Sequence, residues 1–415
     1  MSEKMPLLTG IRIGPHEVHN RIAINAMECC DADTGGNPSD TAFRRYERLA
    51  RGNAGMIIME ALSVVDENLG RQHQLTALPQ NQKALEKLVR SVKGINPKPL
   101  LVWQLTHNGE LANPEFAERV SVKPFPGYEG RLLTEEEVDA ILDSFVQAAV
   151  IAHDCGADGV DFKLCHGYFG SQLLRPFNDR KWKYGGSWAN RTRFAYEAYE
   201  RIARKVNDPK FLLGSKVSVW EGLPGGQGSA GPDTPLMDLS EPLDLVKGLE
   251  ARGASFIVES AGNPSLTLPI VQTDKRFPEY GYLHFYFQKM LRQALKPSTV
   301  VIGSAYSIFR NGKNNFRGVK PEESSFLYWG NKNIRDGVCD MVAIGRQSLA
   351  DPLLPSKLEA GTPGAVSWCT GCDNCIEFLI RQRPVGCSTY EREYTNGLKQ
   401  IRAEQGKLAE VEKHT

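Results

Sequence analysis

Eight short apolar, β-branched runs recur along the chain, at residues 22–27, 56–60, 100–105, 159–165, 211–218, 255–259, 299–303 and 340–345. Runs of this length, apolar at consecutive rather than alternate positions, suit strands buried on both faces of a parallel sheet. Parallel neighbours need a crossover between them, usually a helix. The intervals supply helical signals. Thr134-Glu135-Glu136-Glu137 reads as a capping box, and Val138, Ile141, Leu142, Phe145, Ala148, Ala149 and Ala152 follow it at helical spacing. Residues 191–206 and 241–252 are also amphipathic. Eight strand–helix units predict a (β/α)8 TIM barrel, with an open doubly wound α/β sheet as the competing arrangement. No internal repeat or low-complexity linker breaks the pattern. Residues 399–415 are charged and predict an exposed helix or tail.

The 415 residues, 41% hydrophobic and 9% aromatic, suffice for one large barrel or two ordinary domains. A formal net charge of +1 with interspersed signs gives no electrostatic case for nucleic acid. No apolar run approaches a membrane span, and the first residues lack the apolar segment of a signal peptide. The expectation is a cytoplasmic, reducing location.

Four of the nine cysteines cluster near the end: Cys369, Cys372, Cys375 and Cys387, in the spacing C-x2-C-x2-C-x11-C. Three thiolates within seven residues can wrap one face of an inorganic cluster, and a fourth can close the cage. A four-cysteine zinc site is the rival, although zinc ribbons favour two separated pairs. A disulfide framework does not suit an odd number of cysteines in a long chain without a secretory segment. Cys29, Cys30, Cys155, Cys165 and Cys339 read as small buried hydrophobes, with Cys165 nearest to a functional position. The division expected is a barrel over 1–365 and a short cysteine-bearing extension and tail over 366–415.

A barrel does its chemistry at the C-terminal ends of its strands. The candidates there are Trp103, Gln104, His107 and Asn108 after the third run, and Lys163, Cys165, His166 and Tyr168 after the fourth. Lys216, Ser218 and Glu221 follow the fifth, Gly303 and Ser304 the seventh, and Gly345 and Arg346 the eighth. The last two pairs stand where barrels often hold a phosphate: glycines let backbone N–H groups approach it, and Arg346 offers a bidentate charge. Trp103 and the aromatics of 280–287 either line the mouth or pack helix on barrel. Gly226-Gln227-Gly228-Ser229-Ala230-Gly231 matches a dinucleotide-binding pattern literally, but Pro232 follows and no helix opens there, so it reads as a flexible loop over the mouth.

Several stretches together resemble the Old Yellow Enzyme family of flavin mononucleotide barrels. They are Asn20-Arg21-Ile22-Ala23, Gln104-Leu105-Thr106-His107-Asn108-Gly109, and His166-Gly167-Tyr168-Phe169 through Leu174-Arg175-Pro176-Phe177-Asn178-Asp179-Arg180 to Asn190-Arg191. Ile344-Gly345-Arg346 with Asp351-Pro352 completes the set. The cysteine spacing is similar to that of the iron–sulfur branch containing trimethylamine dehydrogenase and 2,4-dienoyl-CoA reductase. The resemblance implies FMN and a [4Fe-4S] cluster on Cys369, Cys372, Cys375 and Cys387. It implies flavin contacts from Ala26, Met27 and Gln104, and phosphate contacts from Gly303, Ser304, Gly345 and Arg346. It makes Tyr168 the proton donor and His166 a substrate-orienting group.

Three positions depart from the family pattern. Lys163 stands where the family usually has His or another uncharged polar residue. Lys216 stands where an Arg faces the flavin. Glu28 replaces the flavin-linking Cys of the amine dehydrogenase, with Cys29 one residue on, so the flavin is expected to be non-covalent. The implied activity is reduction of an activated alkene, with Tyr168, His166 and Lys163 catalytic and Lys216 beside the flavin. NADH or NADPH is the implied donor, and the cluster relays electrons. The alternatives are an amine or C–H donor dehydrogenase and a barrel hydrolase or lyase with structural zinc. The partners implied are a small-molecule substrate and an electron-transfer protein, with a homo-oligomer left open.

Overall fold

The computed structural model describes residues 5–273, 277, 279–313 and 319–412. Eight parallel strands form a closed barrel: β1 (Ile22–Ile24), β2 (Met56–Ser63), β3 (Leu100–Thr106), β4 (Gly159–Phe162), β5 (Leu212–Ser218), β6 (Ala254–Ser260), β7 (Val300–Gly303) and β8 (Met341–Ile344). Each pairs with the next, and β8 returns to β1 with Val342 opposite Ile22 and Ile344 opposite Ile24. That last ladder decides for closure over an open sheet.

The crossovers are α1 (Asp40–Arg51), α2 (Gln82–Ile95), α3 (Glu135–Asp154), α4 (Trp188–Val206), α5 (Ser240–Glu250), α6 (Glu279–Ala294) and α7 (Phe326–Arg335). The capping box is made in full. The Thr134 hydroxyl accepts from Glu137 N at 3.2 Å, and Thr134 N donates to the Glu137 carboxylate at 2.8 Å. Such a cap contributes about 1 kcal/mol to its helix.

The strand period of two separates two cores. Ala23, Met56, Ile58, Leu100, Val102, Leu212, Phe256, Val258, Ile302 and Met341 fill the barrel. Ile22, Ile57, Met59, Leu101, Trp103, Val160, Phe162, Ile257 and Val342 face outward onto the helices. An antiparallel hairpin, Ile11–Ile13 with His16–Val18, puts Ile13 and Val18 into the inner cluster and plugs the N-terminal end. The other end is left for chemistry.

The outward group settles the aromatics. Trp103 is fully buried between barrel and helices, one position out of phase with the interior, and Tyr282, Phe285 and Phe287 pack in the same layer.

The glycine-rich segment 226–231 is not a flexible loop. Ser229–Gly231 pairs with Thr234–Met237 as a hairpin. Gln227 N donates to the Glu221 carboxylate at 2.9 Å, and the Ser229 hydroxyl donates to Gly226 O at 2.7 Å. Its glycines serve close packing: a Cβ on Gly228 would lie 2.1 Å from Val219 O.

After β8, two short helices, α8 (Arg346–Ala350) and α9 (Leu354–Glu359), lead to the cysteine segment, α10 (Asn374–Ile380) and α11 (Arg392–Glu412). The tail is less free than its charge suggested. Leu398 and Ile401 bury against Phe378, Val385 and Cys29, and Val385 N donates to Cys29 O at 2.8 Å. Residues 413–415 lie outside the described residues. Among the described residues no helix is long and apolar enough to cross a membrane.

Candidate active site at the barrel mouth

The alternation that puts Leu100 and Val102 inside the barrel puts Gln104 there too, and it aims Asp161, Lys163 and Lys216 inward from β4 and β5. Each of these side chains is at least nine-tenths buried. Gln104 Nε2 donates to Asp161 at 2.6 Å, and Lys216 N donates to the other oxygen of that carboxylate at 2.6 Å. Burial pushes Asp161 up, against these hydrogen bonds and the two lysines. Lys216 Nζ reaches Asn25 Oδ1 at 3.4 Å, and Asn25 Nδ2 donates to Ser304 Oγ at 3.2 Å. A polar belt therefore runs from β3 through β4 and β5 to β1 and β7.

The turn after β7 is tightly held. Ser304 Oγ donates to Glu259 O at 2.6 Å, and Gln288 Nε2 donates to Ser304 O at 3.1 Å. Glu259 faces His284 at 2.7 Å; burial alone would lower this imidazole, but the carboxylate outweighs it and the pKa rises. Gly303 leaves no alternative side chain, since a Cβ would lie 2.3 Å from Gln288 Oε1. Arg346, after β8, donates to Asp373 and to Thr273 O, each at 2.7 Å. It reaches the cysteine segment as well as the barrel mouth.

Past β4 the backbone turns left-handed at His166 (φ +63°) and Gly167 (φ +75°). A Cβ on Gly167 would meet Asn263 Nδ2 at 2.2 Å, so only glycine fits. His166 N donates to Ser218 Oγ at 2.9 Å, and its Nε2 lies 2.6 Å from Ser260 Oγ. Burial first, then Lys216 and Lys163, holds His166 well below its usual range, and it is a neutral imidazole.

Lys163 and Tyr168 meet Glu28. The Tyr168 hydroxyl donates to Glu28 Oε1 at 2.7 Å, and Lys163 Nζ lies 3.3 Å from the same oxygen and 3.2 Å from the centroid of the Tyr168 ring. Arg71, from the loop after β2, brings Nε within 3.2 Å of Glu28 Oε2. Burial would raise Glu28, but Lys163, Arg71 and the Tyr168 hydroxyl hold it at about 2. Burial, then Glu28, pushes Tyr168 well up, and burial lowers Lys163.

Other candidates fall to scaffolding. Glu221 binds Arg175 at 2.8 Å, and Arg175 also binds Glu110 at 2.5 Å. His107 accepts from Gly109 N at 3.2 Å, packs on Phe169, and is pushed down to about 3 by burial. Asn108 donates to Asn68 O. The sequence reading passed over Asp161, Glu259, His284 and Arg71. The signal for the first two was a carboxylate within an apolar strand run, inside it for Asp161 and at its end for Glu259; Arg71, in a loop, carried none.

Cys369, Cys372, Cys375 and Cys387 line one small cavity together with Arg346, Leu349 and Asn374. Gly371 (φ +62°) and Asp373 (φ +60°) curl the chain around it. Burial opposes ionisation of Cys372, but hydrogen bonds from Thr370, Asn374 N and Thr389 outweigh it and lower the thiol. Burial pushes Cys375 up to about 12. All nine thiols are free, and among the described residues no three His, Cys, Asp or Glu side chains stand at metal-ligand geometry. The donor chemistry, four thiols on one cavity, fits a thiolate-held cluster.

Residues 6–245 match the NADH:flavin oxidoreductase / NADH oxidase family. The chain belongs to this family of oxidoreductases. Family relatives include the NADH oxidase of Thermoanaerobacter brockii, 28% identical over 377 residues, covering 88% of this chain and 52% of that protein. The cinnamate reductase of Clostridium sporogenes is 28% identical over 429 residues, covering 94% and 58%. The chain spans about half the length of the curated relatives it matches. Among solved structures, a 2-naphthoyl-CoA reductase in complex with 2-naphthoyl-CoA superposes with TM-score 0.76 at 21% identity over 95% of this chain and 58% of that one. Histamine dehydrogenase from Rhizobium sp. 4-9 gives 0.73 at 22% identity over 92% and 52%. At these identities the structural likeness is one of fold.

The mouth suits the flavin this family uses. It combines an oriented amide (Gln104), a buried cation (Lys216), a hydroxyl (Ser304), and glycines at 303 and 345 where a phosphate would need backbone access.

Proposed function

We propose that the chain is an FMN-dependent reductase of activated alkenes, its barrel (1–365) holding the flavin and its extension (366–415) holding a [4Fe-4S] cluster. The observation that carries the reading is the Lys163–Glu28–Tyr168 cluster standing beside the Gln104–Asp161–Lys216 belt. FMN, when bound, supplies the hydride, with electrons from NADH, NADPH or a protein donor. Gln104 would take its pyrimidine edge, and Ala26 and Met27 would give backbone contacts. Lys216 supplies positive charge beside the ring. Gly303, Ser304, Gly345 and Arg346 would take the phosphate.

The protein's part is to polarise and to protonate. Lys163 or His166 orients the substrate carbonyl, and the charge of Lys163 stabilises negative charge developing on it. Tyr168 protonates the α-carbon. Its raised pKa keeps the hydroxyl protonated at working pH. Turning from Glu28 to the substrate frees the proton, and the Lys163 ammonium over the ring stabilises the phenolate left behind. The cluster, on Cys369, Cys372, Cys375 and Cys387, would pass single electrons to or from a partner.

The hydrolase or lyase reading falls with the family. The amine-dehydrogenase reading would place a cation beside Lys163 and Arg71, where like charges repel it. Anaerobic purification with flavin and iron counts, reduction by NADH or NADPH, and reoxidation by a panel of enones and enoyl thioesters tests the proposal. It expects one acid-releasable FMN and about four irons per chain. An amine that reduces the flavin, with no alkene that reoxidises it, overturns the direction of the reaction. Zinc without iron overturns the cluster.

A further inference from the structure

Two arginines approach the cysteine cavity from the barrel, and they stand in different states. Arg346 is satisfied: it gives one N–H to Asp373 and another to Thr273 O. Arg310, in the stretch after β7, is not. Among the described residues its guanidinium has no ion pair and no hydrogen bond, and its Nε is shut off from water. A half-buried cation in that state is costly unless a negative charge stands near it.

The surroundings of Arg310 say which charge that is. Gly371 (φ +62°) lines the cavity together with the four thiols. A Cβ on Gly371 would lie 2.3 Å from Arg310 Nη2 and 3.3 Å from its Cζ. Only a residue without a side chain lets the guanidinium come so close to the cysteine loop. The backbone fixes it there. Arg310 is left-handed (φ +47°), a conformation rare for a non-glycine residue, which persists only where neighbours enforce it. Phe326 N donates to Arg310 O at 2.9 Å, and the Phe326 ring packs on Trp368, the residue before Cys369, with centroids 6.0 Å apart. The carboxylates of the cysteine segment are already taken: Asp373 by Arg346 and Gln272, and Glu377 by Arg402. What is left to balance Arg310 is the set of thiolates.

We propose that Arg310 tunes the cluster: its guanidinium is the counter-charge that raises the cluster's reduction potential. The proposal rests on the [4Fe-4S] reading of the four cysteines and adds the residue that sets the potential. A thiolate-held cluster carries net negative charge, and uptake of one electron adds to it, so a fixed cation beside it favours the reduced form. Arginine suits the task because it keeps its charge at every working pH.

The test is a redox titration of the full chain purified without oxygen, with the reduced cluster followed by electron paramagnetic resonance and iron and flavin counted in the same samples. Arg310→Gln keeps a hydrogen-bonding side chain and removes the charge. It should lower the potential, shifting the one-electron equilibrium against reduction by roughly tenfold or more, at about 59 mV per factor of ten. Arg310→Lys keeps the charge and should stay close to the wild type. Lys313→Gln, which removes an exposed cation three residues on, should leave the potential unchanged; a shift as large as that of Arg310→Gln overturns the proposal. An unmoved potential in Arg310→Gln, with about four irons per chain, also overturns it. If FMN then binds more weakly as well, Arg310 belongs to the flavin phosphate instead. If Arg310→Gln takes up no iron, Arg310→Lys decides: iron retained at a potential close to that of the wild type supports the proposal, and any other result overturns it. Zinc in place of iron in the wild type overturns the cluster reading and this proposal with it, whereas iron at an unmoved potential overturns this proposal alone.

Discussion

Replacing Glu28 by Gln should change how stability depends on pH, and the size of the change follows from the site. In the folded protein this carboxyl sits at about 2 against an ordinary 4.5. Each pKa unit corresponds to about 1.4 kcal/mol, so Lys163, Arg71 and Tyr168 together favour the ionised over the protonated group by about 3 kcal/mol, net of burial. The side chain is 15% exposed, so solvent screening takes little of this. A depressed carboxylate contributes stability that is fully present above its unfolded value and is lost as pH falls through the folded one. The window is therefore pH 4.5 down to about 2, with about 2 kcal/mol of the loss complete by pH 3. The Gln variant has nothing to titrate there. Urea unfolding of the two proteins at pH 6 and at pH 3 should show the wild-type advantage shrinking by about 2 kcal/mol. The variant also removes the charge that opposes the lowering of Lys163 by burial. That lysine should then sit lower still, so the variant should gain more stability than the wild type as pH rises towards 10.5, the ordinary lysine value. A wild-type advantage that stays constant from pH 6 to pH 3 would falsify the assignment of Glu28 as the ionised partner of both cations.

Tyr168→Phe should leave flavin binding and reduction intact while alkene turnover falls by roughly 10²- to 10⁴-fold, the contribution of a positioned general acid, as read by stopped-flow of each half-reaction. Asp161→Asn keeps one acceptor oxygen for two donors, Gln104 Nε2 and Lys216 N, and it should weaken FMN by about tenfold or more in a fluorescence titration, since a charge-assisted bond of about 1.5–3 kcal/mol is lost. Cys372→Ser should lose the iron and loosen the arm, because metal binding and local folding are coupled. The arm holds the backbone beside the mouth through Val385 N to Cys29 O and Gln72 N to Gln382, so hydrogen exchange should rise at Gln72 and Val385; protection unchanged at both would separate the arm from the mouth. Arg175→Met strands Glu110 and Glu221 in a dry site and should cost about 3–5 kcal/mol by urea unfolding.

Much of the barrel was legible because its signals are local. Each strand was found, since a strand buried on both faces must be apolar at successive positions, though not to the residue. The run at 22–27 pairs only over Ile22–Ile24, and the run at 56–60 extends to Ser63. The capping box at Thr134 needed only four residues to be recognised. The inward phase of Gln104, Lys163 and Lys216 was implicit in the alternation. Trp103, one residue off, went outward for the same reason. The glycine-rich hairpin was misread because its order comes from Glu221, which anchors it by a bond that composition does not reveal.

The sequence alone determined the eight-fold repeat of strand and helix, the inward register of the polar residues that end each strand, and the four-cysteine spacing. These depend on periodicity and on neighbours within a few positions. Only the tertiary structure decided that Glu28, Arg71, Lys163 and Tyr168 form one charged group and that Arg346 joins the mouth to the cysteine segment through Asp373. It also decided that Cys29 and Gln72, the neighbours of Glu28 and Arg71, are held by the C-terminal arm. Glu28 and Lys163 are 135 residues apart in the sequence and 3.3 Å apart in the folded chain. The energy of such a pair depends on distance and dielectric, and neither exists until the barrel has closed and excluded water.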